Sequence, residues 1–254
     1  MKTIDAIKYL RLYVLNDTGG SGTDWTTITE ASVNAKQLLW SNEELAAFIN
    51  EAQIQAFRRC LLQEDFGAAY NISIVAGTAE YSLHPKVLQV IANTLASNGK
   101  ELQLTDTRTI FELQNYSLDT GIPKFYSANY KTGTVLFYPT PVANDTWKPL
   151  VYRLPLNTVS FSLPNADLEI QEHFSIPMLH WAAYLAYSKQ DADTYDPKQA
   201  AIHKAAFTDE FGETSVYSDM RKLKSADNRV KYGGIPMGAT RPRPPVRIIR
   251  NSNG

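Results

Sequence analysis

Four histidines, one cysteine, an aspartate cluster and a glycine-rich stretch are the parts of this 254-residue chain whose residue types invite a search for chemistry. His84, His173, His180 and His203 show no ligand spacing. His173 and His180 are seven residues apart, not the three or four of helical ligand pairs, and no cysteine pair accompanies them. They are expected to be structural. The stretch "TGGSGT" lacks the Gly-Lys-Ser/Thr ending of a phosphate-binding loop and follows a helix end, so it reads as a flexible connector. Asp191, Asp193 and Asp196 resemble the first half of a calcium loop, but the central glycine is missing and the closing position holds Ile202. That cluster reads as a helix cap beside a solvated turn. Asn16, Asn71, Asn115 and Asn144 each begin an Asn-x-Ser/Thr triplet, which matters only in a secreted chain. Cys60 is the only cysteine, which excludes an intramolecular disulfide, and its place on an apolar helix face predicts a buried thiol. No acid pair, nucleophile with its base or metal set emerges, so the expectation is a protein that is not an enzyme and carries no cofactor or metal.

The C-terminal segment has a different character. "GGIPMGATRPRPPVRIIRNSNG" holds four arginines, no acid and four prolines, which forbid helix and central strand. Val246, Ile248 and Ile249 are more apolar than a solubility tail needs, and the mixture reads as an arm that is extended alone and docks onto something. Pro242 to Arg247 also matches the Pro-x-x-Pro-x-basic pattern of SH3 ligands, as many basic proline-rich tails do. From Arg221 onward nine basic residues face one acid, Asp227, a formal charge of +8; the remaining 16 basic and 25 acidic residues leave −9 on 1–220. An acidic body with a basic tail points to head-to-tail self-complementarity or an acidic partner, with nucleic acid as the competing target.

The elements that would carry these residues are legible in outline. "WSNEELAAFINEAQIQAFRRCLL" opens with Ser41 as N-cap, Glu44 three residues on, and Trp40 placed to pack on Leu45. Apolar residues from Leu45 to Leu61 then recur at the spacing of one helical face. A shorter helix is predicted over about 3–16, stopped by the adjacent glycines. Its charges Asp5 and Lys8 argue against a signal peptide, and no run approaches the roughly 18 apolar residues of a membrane span. From about 71 the pattern changes to period two, with a hairpin around Lys131-Thr132-Gly133 and a short helix around Thr107–Tyr116. Phe125, Tyr126, Tyr130, Phe137 and Tyr138 there are either subunit contacts or a small core. "EIQEHFSIPMLHWAAYLAYSKQ" is apolar on nearly every face and is expected to be the most buried helix, with Ser175 as cap and Pro177 in its first turn. The last helix opens with Asp196 as cap, Pro197 next and Gln199 completing a box. The predicted class is α+β: an antiparallel bundle of about four helices from 1–70 and 166–224, an inserted β-rich domain at 71–165, and an extended basic arm at 225–254.

Three stretches in order carry a resemblance: "LLWSNEELAAFINEAQIQAFRR", "GIPKFYSANYKTGTVLFYPTP" followed by "LVYRLPL", and "HFSIPMLHWAAYLAYSKQDADTYDPKQAAIHKAAFTDEFG". Together, over about 40–212, they resemble the head-to-tail adaptor proteins of short-tailed bacteriophages, the phage adaptor or tail-tubular-protein-A-like family. Each stretch is a packing pattern and none is a catalytic signature.

The resemblance implies a structural virion protein at the head-to-tail interface, made in the host cytoplasm. It implies a dodecameric homo-oligomer ring beneath the portal protein, a β-rich domain facing the tail protein, and double-stranded DNA passing through the lumen. The arm would then bind portal or neighbouring subunits, with Arg241, Arg243, Arg247 and Arg250 pairing with acids while Val246, Ile248 and Ile249 fill apolar grooves or add a strand edge. A lumen walled by the body's excess acids would not grip passing phosphates. No membrane is involved on this reading. The alternative is a DNA-binding or packaging accessory protein that uses the basic arm on phosphates.

Overall fold

The computed structural model describes residues 1–18, 38–112, 118–128, 133–191 and 193–213. Helix α1 (Thr3–Tyr9) runs directly into a π-helical turn, Leu10–Leu15. It stops before the glycines that were expected to end it. Asn16 takes φ 52° and ψ 34°, the left-handed region that asparagine reaches more easily than most residues, and its N–H donates to the Arg11 carbonyl.

Helix α2 (Asn42–Cys60) begins with the full capping box read from its sequence. The Glu44 N–H donates to Ser41 Oγ at 3.1 Å and the Ser41 N–H donates to Glu44 Oε2 at 2.9 Å, so two end donors are satisfied reciprocally. Its buried face runs Leu45, Ala46, Ile49, Ala52, Ala56 and Phe57. Helix α3 (Thr107–Glu112) is short, and residues 113–116 of its expected span lie outside the described residues.

Helix α4 (Glu172–Ser188) departs from expectation at its start. Gln171 is its N-cap, Ser175 lies inside with its hydroxyl turned back to the Gln171 carbonyl at 3.4 Å, and Pro177 sits in the second turn. Pro177 therefore removes the bond that would reach the His173 carbonyl, a local loss that the packed alanine-rich side of the helix offsets. Nor is α4 buried all round: Ser175, Met178, Leu179, Ala182, Ala183 and Ala186 are buried, but Ile176 is 43% exposed. Helix α5 (Pro197–Phe211) has the expected Asp196 cap, its Oδ1 accepting from the Lys198 and Gln199 N–H groups at 2.9 and 3.1 Å, but Gln199 does not complete a box, because the Asp196 N–H donates to the Tyr187 carbonyl at 3.0 Å.

Helices α1, α2, α4 and α5 contribute to one hydrophobic cluster, in which Ile7, Leu10, Trp40, Leu45, Ile49, Phe57, Met178, Leu179 and Phe207 are all but inaccessible. Small residues on α2 and α4 (Ala46, Ala52, Ala56; Ala182, Ala183, Ala186) leave little side chain between those helices, so their backbones come close.

The strands between α2 and α4 form three sheets. In the first, β10 (Asp145–Arg153) is central: β4 (Val87–Leu95) pairs along one side, while β1 (Glu64–Asp65) and β2 (Ile72–Ile74) follow each other along the other, all antiparallel. Pro149, buried and unable to donate, falls in the stretch of β10 that neither β1 nor β2 covers. The second sheet has the order β3 (Glu80–Ser82), β8 (Thr134–Tyr138), β7 (Phe125–Ala128), β5 (Gln103–Leu104), and the third pairs β6 (Thr120–Gly121) with β9 (Thr140–Pro141) in parallel. Gly133, at φ 71°, leads out of the β7–β8 loop as its sequence requires.

A second hydrophobic cluster lies among these strands, built on Trp147, Tyr126 and Phe137. The open question about the aromatic residues is thereby answered for two of the five, Tyr126 and Phe137. Tyr126 and Phe137 are core and pack on Trp147 at ring distances of 5.5 and 5.3 Å, Phe125 and Tyr138 stack half-buried at 6.4 Å, and Tyr130 lies outside the described residues. The chain is a mixed helix-and-sheet protein, as expected.

Candidate functional site

Arg241, Arg243, Val246, Arg247, Ile248, Ile249 and Arg250 all lie outside the described residues. What the structure does show is the root from which the C-terminal segment leaves. Helix α5 ends at Phe211, and Gly212 turns the chain at φ 73°. Arg59, only 5% exposed near the end of α2, holds this turn: its Nη1 donates to the Gly212 carbonyl at 2.6 Å and to Thr208 Oγ1 at 3.4 Å. Its guanidinium lies 4.9 Å from the centres of both the Trp181 and Phe207 rings, where the ring faces attract a cation. Cys60 is half-buried and not fully enclosed, and its Sγ lies 3.4 Å from the Phe211 carbonyl in the geometry of a weak donor. The end of α2 therefore fixes the end of α5 and the turn at Gly212.

A second constellation joins the strands to the helices. Arg153, at the end of β10, donates through Nε to Asp65 Oδ2 at 2.6 Å and through Nη1 to Glu169 Oε2 at 2.7 Å. Glu169 also accepts from the Leu156 and Asn157 N–H groups, and its own N–H donates to Gln53 Oε1 of α2 at 3.1 Å. Asp65 accepts from the Gly67 N–H at 2.8 Å. Burial works against the charge on Glu169, but the bonds from Arg153 and the two backbone donors outweigh it, so its pKa lies below the usual carboxylate range. These residues are 88 and 16 positions apart in the chain, a separation at which no sequence pattern signals contact.

Two further groups escaped the reading of the sequence. Arg11, fully buried in the helical core, pairs with Asp17 and donates through Nη2 to the Trp40 carbonyl at 2.6 Å and to Asn42 Oδ1 at 3.0 Å. It ties the end of the first helix to the start of α2. His180 of α4 and His203 of α5 meet through their Nδ1 atoms at 3.0 Å. Spacing along one helix does not detect a pair that packing brings together from two. Among the described residues no group of three or more His, Cys, Asp or Glu side chains could hold a metal ion.

The arrangement is thus one of ties between elements, set in a body from which a basic segment departs. A family model described as SU10 adaptor protein matches residues 3–231. The chain belongs to that family. Its members are structural head-to-tail adaptors of bacteriophage virions, and the phage adaptor expected from the resemblance is the coarse identity the match supports. None of the curated proteins compared with the chain matches it. As an SU10 adaptor protein family member it is placed in the virion among other virion proteins, and among its described residues no helix is long and apolar enough to cross a membrane. The family match ends ten residues before Arg241, so the seven arm residues singled out from the sequence lie beyond it.

Proposed function

We propose that this adaptor forms a homo-oligomeric ring, a dodecamer, between the portal protein and the tail of a short-tailed phage, with a lumen through which double-stranded DNA passes. The helices at 1–70 and 166–224 form its bundle, the strands at 71–165 an inserted domain turned toward the tail, and 225–254 the arm that clasps portal or neighbouring subunits. The observation that carries this reading is the family match over residues 3–231. The charge division supports the arm's part in it, since a segment at +8 beside a body at −9 favours docking on acidic protein surfaces of its own kind. A ring strengthens such contacts, because each docked arm raises the effective concentration of the next.

The test is electron microscopy of the protein mixed with its portal, comparing the full chain with one ending near Ser225. A ring on the narrow end of the portal that is lost on truncation supports both the connector role and the arm as its clasp. Binding by both versions would move the joint to the folded body. Binding by neither, together with salt-sensitive binding of DNA by the full chain, would replace this reading with that of a DNA-binding accessory protein.

A further inference from the structure

His180 and His203 face each other across α4 and α5 with Nδ1 atoms 3.0 Å apart and ring planes 24° from parallel. A hydrogen bond at that distance requires one Nδ1 to carry a proton and the other to offer its lone pair, so the rings are held as opposite tautomers. One extra proton is accommodated, because an imidazolium still donates to a neutral neighbour, and with more strength than before. A second is not. It removes the last lone pair and sets two cations face to face in a half-buried site.

Among the described residues no carboxylate acts on either ring. On α4, Tyr187 stacks on His203 at 5.7 Å with planes 2° apart, and its hydroxyl donates to the Val14 carbonyl at 3.3 Å. Trp40, before α2, meets Tyr187 edge-on at 6.0 Å, and Asp196, the α5 cap, acts on the Tyr187 hydroxyl. Lys204 of α5 lies over the Tyr184 ring of α4 at 5.5 Å, adding positive charge to this face. Lys189, at the end of α4, is taken up by Glu44 at 2.7 Å. Burial lowers the pKa of His180, and burial followed by the charge of His180 lowers that of His203; no carboxylate is among the causes for either ring.

We propose that His180 and His203 form a proton-sensitive latch that seats the middle of α5 on α4 at neutral pH and opens when both rings are protonated. The sign is fixed by the geometry and by the lowered pKa values. Folded-state values below the ordinary 6.5 mean that the latch contributes its full stability above that pH and loses it as pH falls through the folded values. Opening the latch loosens the middle of α5 while Asp196 and Arg59 still hold the two ends of the helix.

The experiment uses the full chain. Nitrogen-15 spectra of the histidine rings, titrated between about pH 8 and pH 5, are combined with amide exchange of α5 and α2 over the same range. The expected result is opposite Nδ1 tautomers at neutral pH, two coupled steps displaced to low pH, and a several-fold greater loss of protection in α5 than in α2. His203→Phe keeps an aromatic ring for Tyr187 to stack on and removes the latch, so its α5 protection should become insensitive to pH; His180→Gln serves in its place if that variant does not fold. Matching tautomers with two independent titrations near 6.5, or an unchanged α5 response in the variants, would overturn the proposal.

Discussion

The indole Nε1 of Trp147 on β10 donates to Oδ1 of Asn93 on β4 at 2.9 Å, inside the cluster that holds the strands together. Asn93 is 3% exposed and uses the same oxygen to accept from the Leu102 N–H and its Nδ2 to donate to the Leu102 carbonyl, both at 3.0 Å. Replacing it by alanine removes the partner of an indole N–H, a backbone N–H and a backbone carbonyl in a buried interior. The expected loss is about 3 kcal/mol in urea unfolding followed by tryptophan fluorescence. A loss below about 1 kcal/mol would mean that water or a shifted loop replaces the amide.

Arg153→Met should be more damaging than an ordinary surface change. Asp65 and Glu169 have side chains 24% and 15% exposed, and without the guanidinium Glu169 must hold its charge with backbone donors alone and Asp65 with the Gly67 N–H and the Tyr70 hydroxyl. About 2 kcal/mol of destabilisation is expected, reduced from the value for a fully buried pair because water reaches part of each group. The double variant with Glu169→Gln should cost less than the sum of the two single ones; strict additivity would show that the two residues do not act together.

Acid should weaken the same joint. The pKa of Glu169 is depressed in the fold below its ordinary 4.5, so its contribution is fully present above that pH and disappears as pH falls through the folded value. Glu169→Gln should therefore be less stable than the parent near neutrality and lose less on going to acid, so that the two stability curves converge. Parallel curves down through the carboxylate range would contradict the assignment.

Ser41→Ala should cost about 1 kcal/mol by removing half of the capping box of α2. Glu44→Ala should cost at least as much, because Glu44 also takes the Lys189 ammonium at 2.7 Å and so ties the start of α2 to the end of α4. Thermal unfolding of the two variants gives the comparison directly, and equal stability of Ser41→Ala and the parent would show the cap to be dispensable.

What could be read in advance and what could not follow from the range of each interaction. The box at Ser41 and Glu44, the cap at Asp196 and the alternation that buries Val135 and Phe137 are settled within a few residues, so they are visible in the chain. The start of α4 was misplaced because Ser175 before Pro177 imitates a cap, while the helix begins a turn earlier. The first helix ends at Asn16, as its predicted span of about 3–16 required, but it is the left-handed backbone of Asn16, and not a glycine, that closes it. Arg153 with Asp65 and Glu169, Arg11 with Asn42, and His180 with His203 are contacts between distant residues, which only the packing of whole elements decides.

The chain passes between the helical cluster and the strands twice, once after α2 and once after β10, and Arg153 stands where the passages run side by side: its N–H donates to the Gln63 carbonyl at 3.2 Å while its side chain grips Asp65 and Glu169. In mechanical terms this is a two-cable joint with a cross-tie. Tension applied across it divides between the cables, and the ionic contacts at the cross-tie are loaded together instead of peeling open one after another. Torsion is resisted because neither cable can swing about the other without breaking the tie. A member of an adaptor family thus carries a small coupling of its own, between its helices and its strands.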